Sequence, residues 1–306
     1  MELLITKLIP LIVILGIGIL LQKIKTFTDE IVTGLKYIII NISLPAVLFT
    51  TFIKAPLKPE YAVLFVLMFL FCSVLYGFGR LYQKALKLKY TGEFFTGFEF
   101  GMVGVALFTS LWGVDRLAVV VLIALGHEIF IWFVYIPMLE YKNTGHIKIK
   151  KYLQSFITTP IIIAIISGIT VNIFNLYPII EGFIVGQGFI ATLSMLVPIT
   201  GPLILIVVGY SIRLGNIKWN QTLVFVGIRL VTVLIVGTGI YYAITAITTE
   251  IDSEFGILFF GFILLPPPFI FPLFIEKNQE ELTFFSNAVS IYTLLSFLGF
   301  IVLMLL

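Results

Sequence analysis

The chain has 306 residues, of which 60% are hydrophobic and 11% are charged, and its formal net charge is +3. A typical soluble domain is about a quarter charged and at most half apolar, so this composition excludes a soluble enzyme, a nucleic-acid-binding protein and a disordered protein. Because the polar residues are too few to cover the apolar surface in water, the sequence predicts a protein whose solvent is lipid.

Ten stretches of the chain are long and apolar enough to cross a bilayer, which takes about 20 residues of helix. We number them as spans 1 to 10 in chain order, at residues 4–22, 31–53, 61–82, 94–112, 117–139, 153–174, 184–213, 220–247, 255–275 and 283–306. Span 7 is long for one straight crossing and contains Pro198 and Pro202, so we expect a kink or a lead-in segment there. The sequence therefore predicts an all-α membrane protein with ten transmembrane helices.

The lysines and arginines between the spans are distributed unevenly, and this asymmetry predicts the orientation. The loops after odd-numbered spans contain thirteen of the 19 basic residues, namely Lys23, Lys25, Arg80, Lys84, Lys87, Lys89, Lys142, Lys148, Lys150, Lys151, Arg213, Lys218 and Lys277. The N-terminus and the loops after even-numbered spans contain only Lys7, Lys54, Lys58 and Arg116. Since cytoplasmic loops are enriched in basic residues, we expect both termini to be extracytoplasmic and the protein to lie in the plasma membrane.

The two halves of the chain, residues 1–152 and 153–306, contain five predicted spans each, and glycine or proline residues interrupt corresponding spans in both halves. Span 2 contains Pro45, and span 7 contains Pro198 at the corresponding position. Because five is an odd number, the second half starts on the opposite side of the membrane, and the repeat is inverted. Inverted repeats whose matching spans are interrupted are typical of transporters, which place their central site at the interruptions.

Spans 4 and 9 carry the second pair of interruptions. Span 4 contains Gly101 and Gly104, and span 9 contains Pro266, Pro267 and Pro268. Glycine and proline are frequent in membrane helices, so single residues leave open whether a helix is broken. Three consecutive prolines lack N–H donors, and each one pushes the residue before it away from helical geometry. We therefore expect breaks that cross near the membrane midplane, with half-helices beginning after Pro268 and near Gly104 and pointing their N-termini at the crossing.

The chain resembles the auxin efflux carrier family, which includes the plant PIN carriers and bacterial malate-permease-like proteins, over nearly its whole length. The resemblance is carried by NISLPAVLFTTF in span 2 and by GMVGVALFTSLWGVDRLAVVVLIALGHEIFIWF across spans 4 and 5. In the second half it is carried by TTPIIIAIISGI, VPITGPLILIVVGYSI, the proline run of span 9 and YTLLSF in span 10.

This resemblance implies ten helices in an inverted five-plus-five repeat with two broken crossing helices, similar to the fold of sodium/proton antiporters and bile-acid symporters. It implies a scaffold of spans 1, 2, 6 and 7, a transport domain of spans 3–5 and 8–10, an elevator-type movement of small organic anions, and a homodimer formed through the scaffold. The chain differs from the family in having Glu99 where an asparagine is usual, Ala106 in place of the crossing proline, and His127 and Glu128 where many members have amides.

The predicted spans contain two acids, one histidine and one arginine, apart from the basic residues near the span ends, which are Lys7, Lys36, Arg80 and Arg213. A charge inside a span costs about 3 kcal/mol and needs a reason. Glu99 is either a proton or cation acceptor or a packed acid that burial keeps neutral. His127 and Glu128 are neighbours in span 5, so at most one of them easily faces a site, and His127 is equally well explained as a hydrogen-bonded core histidine. Arg229 in span 8 either binds an anion or pairs with a carboxylate.

Polar residues without charge also occur in the spans. Asn41 precedes Pro45 by one turn, and its amide either satisfies a carbonyl that the proline frees or contacts substrate. Residues at three-residue steps along span 10 are typical of helix–helix hydrogen bonding: Asn287, Ser290, Thr293 and Ser296. The candidate substrate-binding residues are Asn41, Pro45, Glu99, Gly101, Gly104, Glu128, Arg229, Pro266, Pro267 and Pro268, and the candidate coupling residues are Glu99, His127 and Glu128.

The sequence therefore predicts a secondary active transporter for a small carboxylate, with a coupling proton or sodium ion. A monovalent cation/proton antiporter of the same fold is the alternative, which Glu99 and Glu128 favour. The chain contains no P-loop, no G-x-S-x-G and no H-E-x-x-H motif, and its single cysteine cannot form an intrachain disulfide, so we expect no enzyme, cofactor or metal. If Arg229, Glu99 and Glu128 line one site, their charges sum to −1, and we expect anion binding to require proton uptake at Glu99.

The predicted orientation is tested by cysteine labelling in intact cells. With Cys72 replaced by serine, an impermeant thiol reagent should label Ser253→Cys and leave Gly145→Cys unlabelled, because the loop at 142–151 is expected in the cytoplasm and the acidic loop at 250–254 outside. Labelling at position 145 without labelling at position 253 would reverse the orientation.

Overall fold

The fold is known from a computed structural model that describes residues 2–55, 57, 61–146, 149–215, 218–248, 254–275 and 279–305. Regular secondary structure in these ranges is entirely helical. The α-helices are α1 (Glu2–Leu21), α2 (Asp29–Ile38), α3 (Leu44–Phe52), α4 (Tyr61–Leu86), α5 (Thr91–Phe95), α6 (Val105–Trp112), α7 (Val114–Phe130), α8 (Ile136–Thr144), α9 (Ile149–Thr158), α10 (Pro160–Ile173), α11 (Tyr177–Glu181), α12 (Ile184–Ser211), α13 (Trp219–Ile247), α14 (Phe255–Ile263) and α15 (Gln279–Leu305). Three π-helical turns occupy Ile39–Ser43, Phe100–Gly104 and Ile131–Tyr135, and a 3₁₀ turn occupies Phe271–Phe274.

Seven helical segments of the described chain are long and apolar enough to cross a membrane. They are Asp29–Phe52, Val63–Leu86, Thr91–Trp112, Val114–Lys142, Ile184–Ser211, Trp219–Ile247 and Gln279–Leu305, and two shorter apolar helices are Thr6–Leu21 and Pro160–Ile173. Large apolar side chains on these helices remain exposed in the isolated chain, among them Ile184, Val185 and Met195. The prediction of an all-helical, multi-pass membrane protein is confirmed by the length and hydropathy of the helices.

The orientation prediction rests partly on residues outside the described ranges. These are the basic residues Lys58, Lys148 and Lys277 and the acidic residues Glu250 and Asp252. The predicted orientation therefore stays a prediction.

The chain divides into two compact units. The first unit comprises Met1–Leu57, Gly101–Ala118 and Leu153–Ile212. The second comprises Lys58–Phe100, Val119–Tyr152 and Arg213–Leu306. Each unit thus combines segments from both halves of the sequence, and the chain leaves the second unit for residues 101–118 before it returns.

The first unit is organised around the long helix α12, which packs most extensively on α1. Close approach of the two backbones requires Gly18 and Gly209, because a Cβ atom on Gly18 would clash with the carbonyl oxygen of Ile206 and lie 3.0 Å from the Gly209 Cα atom. The amide of Gln22 then donates hydrogen bonds to the carbonyls of Tyr210 at 3.1 Å and Ile212 at 2.8 Å. These bonds satisfy carbonyls at the end of α12 that have no partner within the helix.

The described prolines of the first unit lie within or at the start of helices, and the kink expected at Pro198 or Pro202 stays a prediction. Helix α12 runs continuously through Pro198 and Pro202, and the separate short helix α11 precedes it. Pro45 stands at the start of α3, directly after a π-helical turn. A single proline leaves most of a helix's hydrogen bonds intact, and membrane helices tolerate it through local adjustment of the backbone.

The second unit is held together by α4, α13 and α15, which pack on the short helices α5 and α14. Its interior is aromatic: Phe94 has its ring centroid 4.7 Å from that of Phe225 and 5.8 Å from that of Phe285. Phe285 in turn contacts Phe271 edge-on, with the centroids 5.2 Å apart. Packed rings of this kind stabilise beyond their buried area, and through Phe94 and Phe271 they lie beside α5 and the 3₁₀ turn, which border the site described below.

The glycine contact between α1 and α12 predicts an asymmetric response to alanine. Gly18→Ala and Gly209→Ala should each destabilise the protein by about 1–3 kcal/mol, since the added methyl group has no room. Gly16→Ala in the same helix is the matched control, because its Cβ atom would meet nothing within 4 Å, and alanine favours helix over glycine. Thermal unfolding of the detergent-purified variants measures the difference. Equal midpoints for the Gly16 and Gly18 variants would contradict the close approach.

Candidate functional site: two joined helix breaks

Two helices of the second unit are interrupted within apolar sequence. Helix α5 ends at Phe95, and residues 96–99 are not helical; we call them the first break. Helix α14 ends at Ile263, and residues 264–270, which include the three prolines, form the second break before the 3₁₀ turn. Each break releases backbone N–H and C=O groups from helical hydrogen bonds, and in a bilayer these groups need partners inside the protein.

The two breaks bind each other through one residue. The backbone N–H of Glu99 donates to the carbonyl of Pro266 at 2.7 Å. The Glu99 carboxylate accepts a hydrogen bond from the backbone N–H of Phe269 at 2.6 Å through Oε2. Glu99 thus provides partners for two backbone groups of the second break, one before and one after the pair Pro267 and Pro268.

Gly97 determines where the first break lies. Its φ angle is +79°, a conformation that side chains with a Cβ atom rarely adopt. A Cβ atom there would also lie 3.0 Å from the Pro268 Cγ atom and 3.0 Å from the Ile131 Cδ1 atom. The turn and the close packing of the two breaks therefore both require glycine at this position.

His127 satisfies the donor that the first break releases. Its Nε2 atom accepts a hydrogen bond from the backbone N–H of Phe98 at 2.8 Å. A ring nitrogen that accepts carries no proton, so the hydrogen bond assigns the neutral tautomer with the proton on Nδ1. That Nδ1 atom lies 3.4 Å from Oε1 of Glu128 without the geometry of a hydrogen bond. The geometry thus matches a hydrogen-bonded core histidine.

Arg229 binds one carbonyl of the first break and one carbonyl of the helix before it. It is completely buried, and it donates from Nε to the carbonyl of Phe94 at 2.9 Å and from Nη2 to the carbonyl of Gly97 at 3.1 Å. Its guanidinium carbon lies 4.0 Å from the centroid of the Tyr292 ring, which is within range of a cation–π interaction. The hydrogen bonds described for Arg229 go to backbone carbonyls, so the interpretation of Arg229 as the partner of a carboxylate finds no support among the described contacts.

Span 10 contributes a further partner of the second break. Ser296 donates from Oγ to the carbonyl of Leu264 at 2.6 Å, and Asn287 accepts the N–H of Gly215 at 3.1 Å. Thr293 bonds the carbonyl of Val289 in its own helix. Helix–helix hydrogen bonding was the sequence interpretation of this polar series, and Ser296 shows it directly.

The glycine positions predicted for the first break are wrong. Gly101 and Gly104 lie in the π-helical turn Phe100–Gly104, which continues into α6, and both belong to the first unit. Ala106 in place of a proline keeps its N–H, so the helix can continue through this region.

Of the two half-helices expected at the crossing, the one near Gly104 has a counterpart in the structure. Helix α6 begins at Val105, directly after Gly104, and it continues the π-helical turn Phe100–Gly104. After Pro268 the described residues form a 3₁₀ turn of four residues, Phe271–Phe274, so the dipole of an α-helix N-terminus is not provided there.

The remaining candidates lie apart from the breaks or at their edge. Asn41 and Pro45 belong to the first unit, and the Asn41 amide is exposed and donates to the carbonyl of Tyr37 at 2.9 Å in its own helix. Glu128 is 23% exposed, and Glu99 is half-buried. Among the ionisable residues predicted for the site, these two acids are therefore the partly exposed ones.

Sequence reasoning missed a buried ion pair in the same unit. Glu93 in α5 is completely buried and lies 2.6 Å from the Lys142 Nζ atom, which also donates to the carbonyl of Lys89 at 3.0 Å. Glu93 stands one residue before the apolar run that marks span 4, and Lys142 follows span 5. The signal available in the sequence was an acid at a span boundary, but its partner is 49 residues away.

The position of the first break predicts opposite effects at two glycines of span 4. Gly97→Ala should destabilise the protein by about 1–3 kcal/mol, because it combines a left-handed backbone with a contact at 3.0 Å to Pro268. Gly101→Ala, whose Cβ atom would meet nothing within 4 Å, should be neutral or slightly stabilising. Thermal unfolding of both variants measures the effects. A larger loss at Gly101 than at Gly97 would return the break to the position predicted from the sequence.

The comparison with known proteins adds no relative to this description. The chain matches no model of a known protein family, and no curated protein is significantly similar to it. The resemblance to auxin efflux carriers therefore rests on the residues that carry it, and the function has to be argued from the joined breaks.

Proposed function

We propose that the chain is a secondary active transporter that moves a small organic anion by alternating access. The observation that carries the proposal is the pair of helix breaks joined through Glu99. Broken helices place backbone N–H donors, C=O acceptors and polar side chains inside the bilayer, and they lose the regular hydrogen bonds of a continuous helix. Proteins accept that cost where a solute has to be bound at membrane depth.

The architecture we propose has ten spans in an inverted repeat. Seven long helical segments, two shorter apolar helices and the broken segment around α14 together give ten crossings. The first unit contains predicted spans 1, 2, 6 and 7 together with Gly101–Ala118, and the second contains most of the other spans. This division supports the first unit as the scaffold, which would also form a homodimer, and the second as the moving transport domain.

The buried guanidinium of Arg229 supports an anion as the substrate. It places a positive charge beside the first break, where the carbonyls of Phe94 and Gly97 hold it. A fixed buried charge favours a solute of opposite sign in a medium of low polarity. The resemblance to auxin efflux carriers points to the same class of substrate, a carboxylate.

A monovalent cation/proton antiporter is the second candidate, and one observation favours it. Glu99 and Glu128 are the partly exposed ionisable groups beside the breaks, whereas Arg229 is completely buried. Accessible carboxylates attract cations and carry protons. The two candidate functions therefore differ in the group that would bind the solute: Arg229 for an anion, or the carboxylates of Glu99 and Glu128 for a cation.

Currents recorded from proteoliposomes on a solid-supported membrane decide between the candidates. A sudden addition of malate should evoke a current in liposomes with the protein and none in empty liposomes. Currents evoked only by a sodium gradient or a pH step would favour the antiporter. No current under any of the three conditions would remove both proposals.

The coupling hypothesis is tested in the same preparation with Glu99→Gln. If Glu99, Glu128 and Arg229 act on one site, their charges sum to −1 with both acids ionised. Anion binding should then weaken as pH rises, and the substitution should flatten this dependence. Glutamine retains an oxygen that can accept the Phe269 N–H, so the break should persist. Glu30→Gln, the same change at an exposed position of α2, is the control. An unchanged pH profile for Glu99→Gln would remove Glu99 from the coupling mechanism and leave it as a structural acid.

A further inference from the structure

An apolar groove lies between α4 and α13 on the surface of the second unit. It has a volume of about 380 Å³ and is lined by Phe78 and Tyr82 of α4 and by residues of α13 between positions 227 and 236. Gly227 keeps the groove open, because a Cβ atom there would meet nothing within 4 Å. The hydroxyl of Thr232 donates to a carbonyl of its own helix at 2.7 Å. Since both helices are apolar enough to cross a membrane, the surroundings of the groove are acyl chains.

A second, polar cavity lies at the end of the same two helices. It has a volume of about 970 Å³, and its described lining includes Ala85 and Leu86 of α4, residues between 218 and 225 at the start of α13, and residues between 279 and 287 at the start of α15. A volume of this size is at the upper end of the range of ligand-binding cavities. None of the described lining residues belongs to the two helix breaks, so the polar cavity is separate from the site described above.

The apolar groove and the polar cavity are adjacent along both helices. On α4, Tyr82 lines the groove and Ala85 lines the cavity. On α13, Gly227 lines the groove and Val224 lines the cavity. Three residues of helix correspond to about 4.5 Å, whereas an acyl chain crosses half of the hydrocarbon core, about 15 Å. One elongated molecule with an apolar end and a polar end can therefore occupy both.

The described lining of the polar cavity has an excess of negative charge. Its charged residues are Lys218, Glu280 and Glu281, with one positive and two negative charges and a net charge of −1. The Lys218 Nζ atom lies 2.5 Å from Oε1 of Glu280. The amides of Asn220 and Gln221 add hydrogen-bond donors and acceptors. The lysines at the end of α4 are not among the lining residues, so the acids determine the sign of the charge inside the cavity.

The two ends of this arrangement match two layers of a bilayer. Lys218 and Glu280 are exposed and stand at the starts of α13 and α15, and charged residues near the ends of membrane helices reach the headgroup layer. Phe78 and Val231 of the groove are exposed apolar residues within the spans, where acyl chains are the neighbours.

From this arrangement we infer that the second unit binds one phospholipid with a primary ammonium headgroup, with an acyl chain in the apolar groove and the headgroup in the polar cavity. The ammonium group donates hydrogen bonds to carboxylates and amide oxygens, and Lys218 supplies a positive charge for the phosphate. A headgroup with a net negative charge would add to the negative charge of the cavity, and a quaternary ammonium has no N–H donor. The cavity therefore favours a headgroup of the ethanolamine type.

This inference goes beyond the proposed transport function and does not depend on it. Lipid binding is measured on purified protein in the absence of any gradient. A protein that transports nothing can still bind the lipid, and an active transporter can lack the site.

The first test changes the apolar groove and uses native mass spectrometry of the detergent-purified protein titrated with phosphatidylethanolamine. The unmodified protein should bind one lipid at low concentration. Gly227→Leu places a side chain in the groove and should weaken this binding about tenfold or more, because the apolar contacts of the acyl chain are lost. Gly239→Leu is the matched control, since it is the same change on the same helix at an exposed position outside the groove where a Cβ atom also meets nothing within 4 Å. Equal binding by the two leucine variants would overturn the inference.

The second test compares headgroups on the same acyl chains. Phosphatidylethanolamine should bind about threefold or more tightly than phosphatidylcholine and phosphatidylglycerol, a margin that exposed charge pairs can supply. The double variant Glu280→Gln, Glu281→Gln neutralises both acids and should remove this preference while a lipid still binds. Glu30→Gln, the same change at an exposed acid of α2, should keep the preference.

Tighter binding of phosphatidylglycerol than of phosphatidylethanolamine, or equal binding of all three lipids by the unmodified protein, would overturn the inference. An undiminished preference in the double variant would overturn it as well. The groove variant and the headgroup variant change different ends of the site, so the inference stays testable if one of them does not fold.

Discussion

The structure of the second unit depends on one constraint, which is that backbone groups freed inside a bilayer must find partners within the protein. Residues 96–99 and 264–270 free such groups in two neighbouring breaks, and the breaks satisfy each other through Glu99. His127, Arg229 and Ser296 provide partners for the rest of the groups described above. A backbone group that loses its partner costs about 1–3 kcal/mol. The structure therefore explains these polar residues in otherwise apolar helices as hydrogen-bond partners of the backbone, before any role in function is considered.

The same constraint links the fold to the proposed transport function. Glu99 and Arg229, which bind the backbone at the breaks, are also charged side chains within apolar helices. A solute that binds at the breaks would therefore compete with their hydrogen bonds to the backbone or add to them. Arg229 illustrates this link. Its Nε and Nη2 atoms donate to carbonyls of α5 and of the first break, and in the proposed function its guanidinium would supply the positive charge that favours an anion. Loss of transport after a drastic change at Arg229 or His127 would therefore report on the breaks as much as on the solute, and conservative substitutions are more informative.

Sequence reasoning succeeded where a residue type has a local physical consequence. Three consecutive prolines cannot form a continuous helix, and the interruption at Pro266, Pro267 and Pro268 follows from that alone. It failed in span 4, where the break uses Gly97 and not Gly101 or Gly104, because all three glycines are locally equivalent. What distinguishes Gly97 is a left-handed φ angle and the Pro268 ring against its Cα atom, and both are set by the packing of a segment distant in the chain. Asn41 was likewise plausible by spacing, but its amide donates to the Tyr37 carbonyl one turn earlier in the chain.

The sequence by itself determined the solvent of this protein, its helical secondary structure and one of the two breaks, since hydrophobicity, helix length and proline geometry act over a few neighbouring residues. Tertiary structure alone decided which polar groups pair. Glu99 meets Phe269 across 170 residues of chain, and Arg229 meets Phe94 across 135. Hydrogen bonds and ion pairs act over a few ångströms in space, and no periodicity along the chain records which distant residues packing brings within that range.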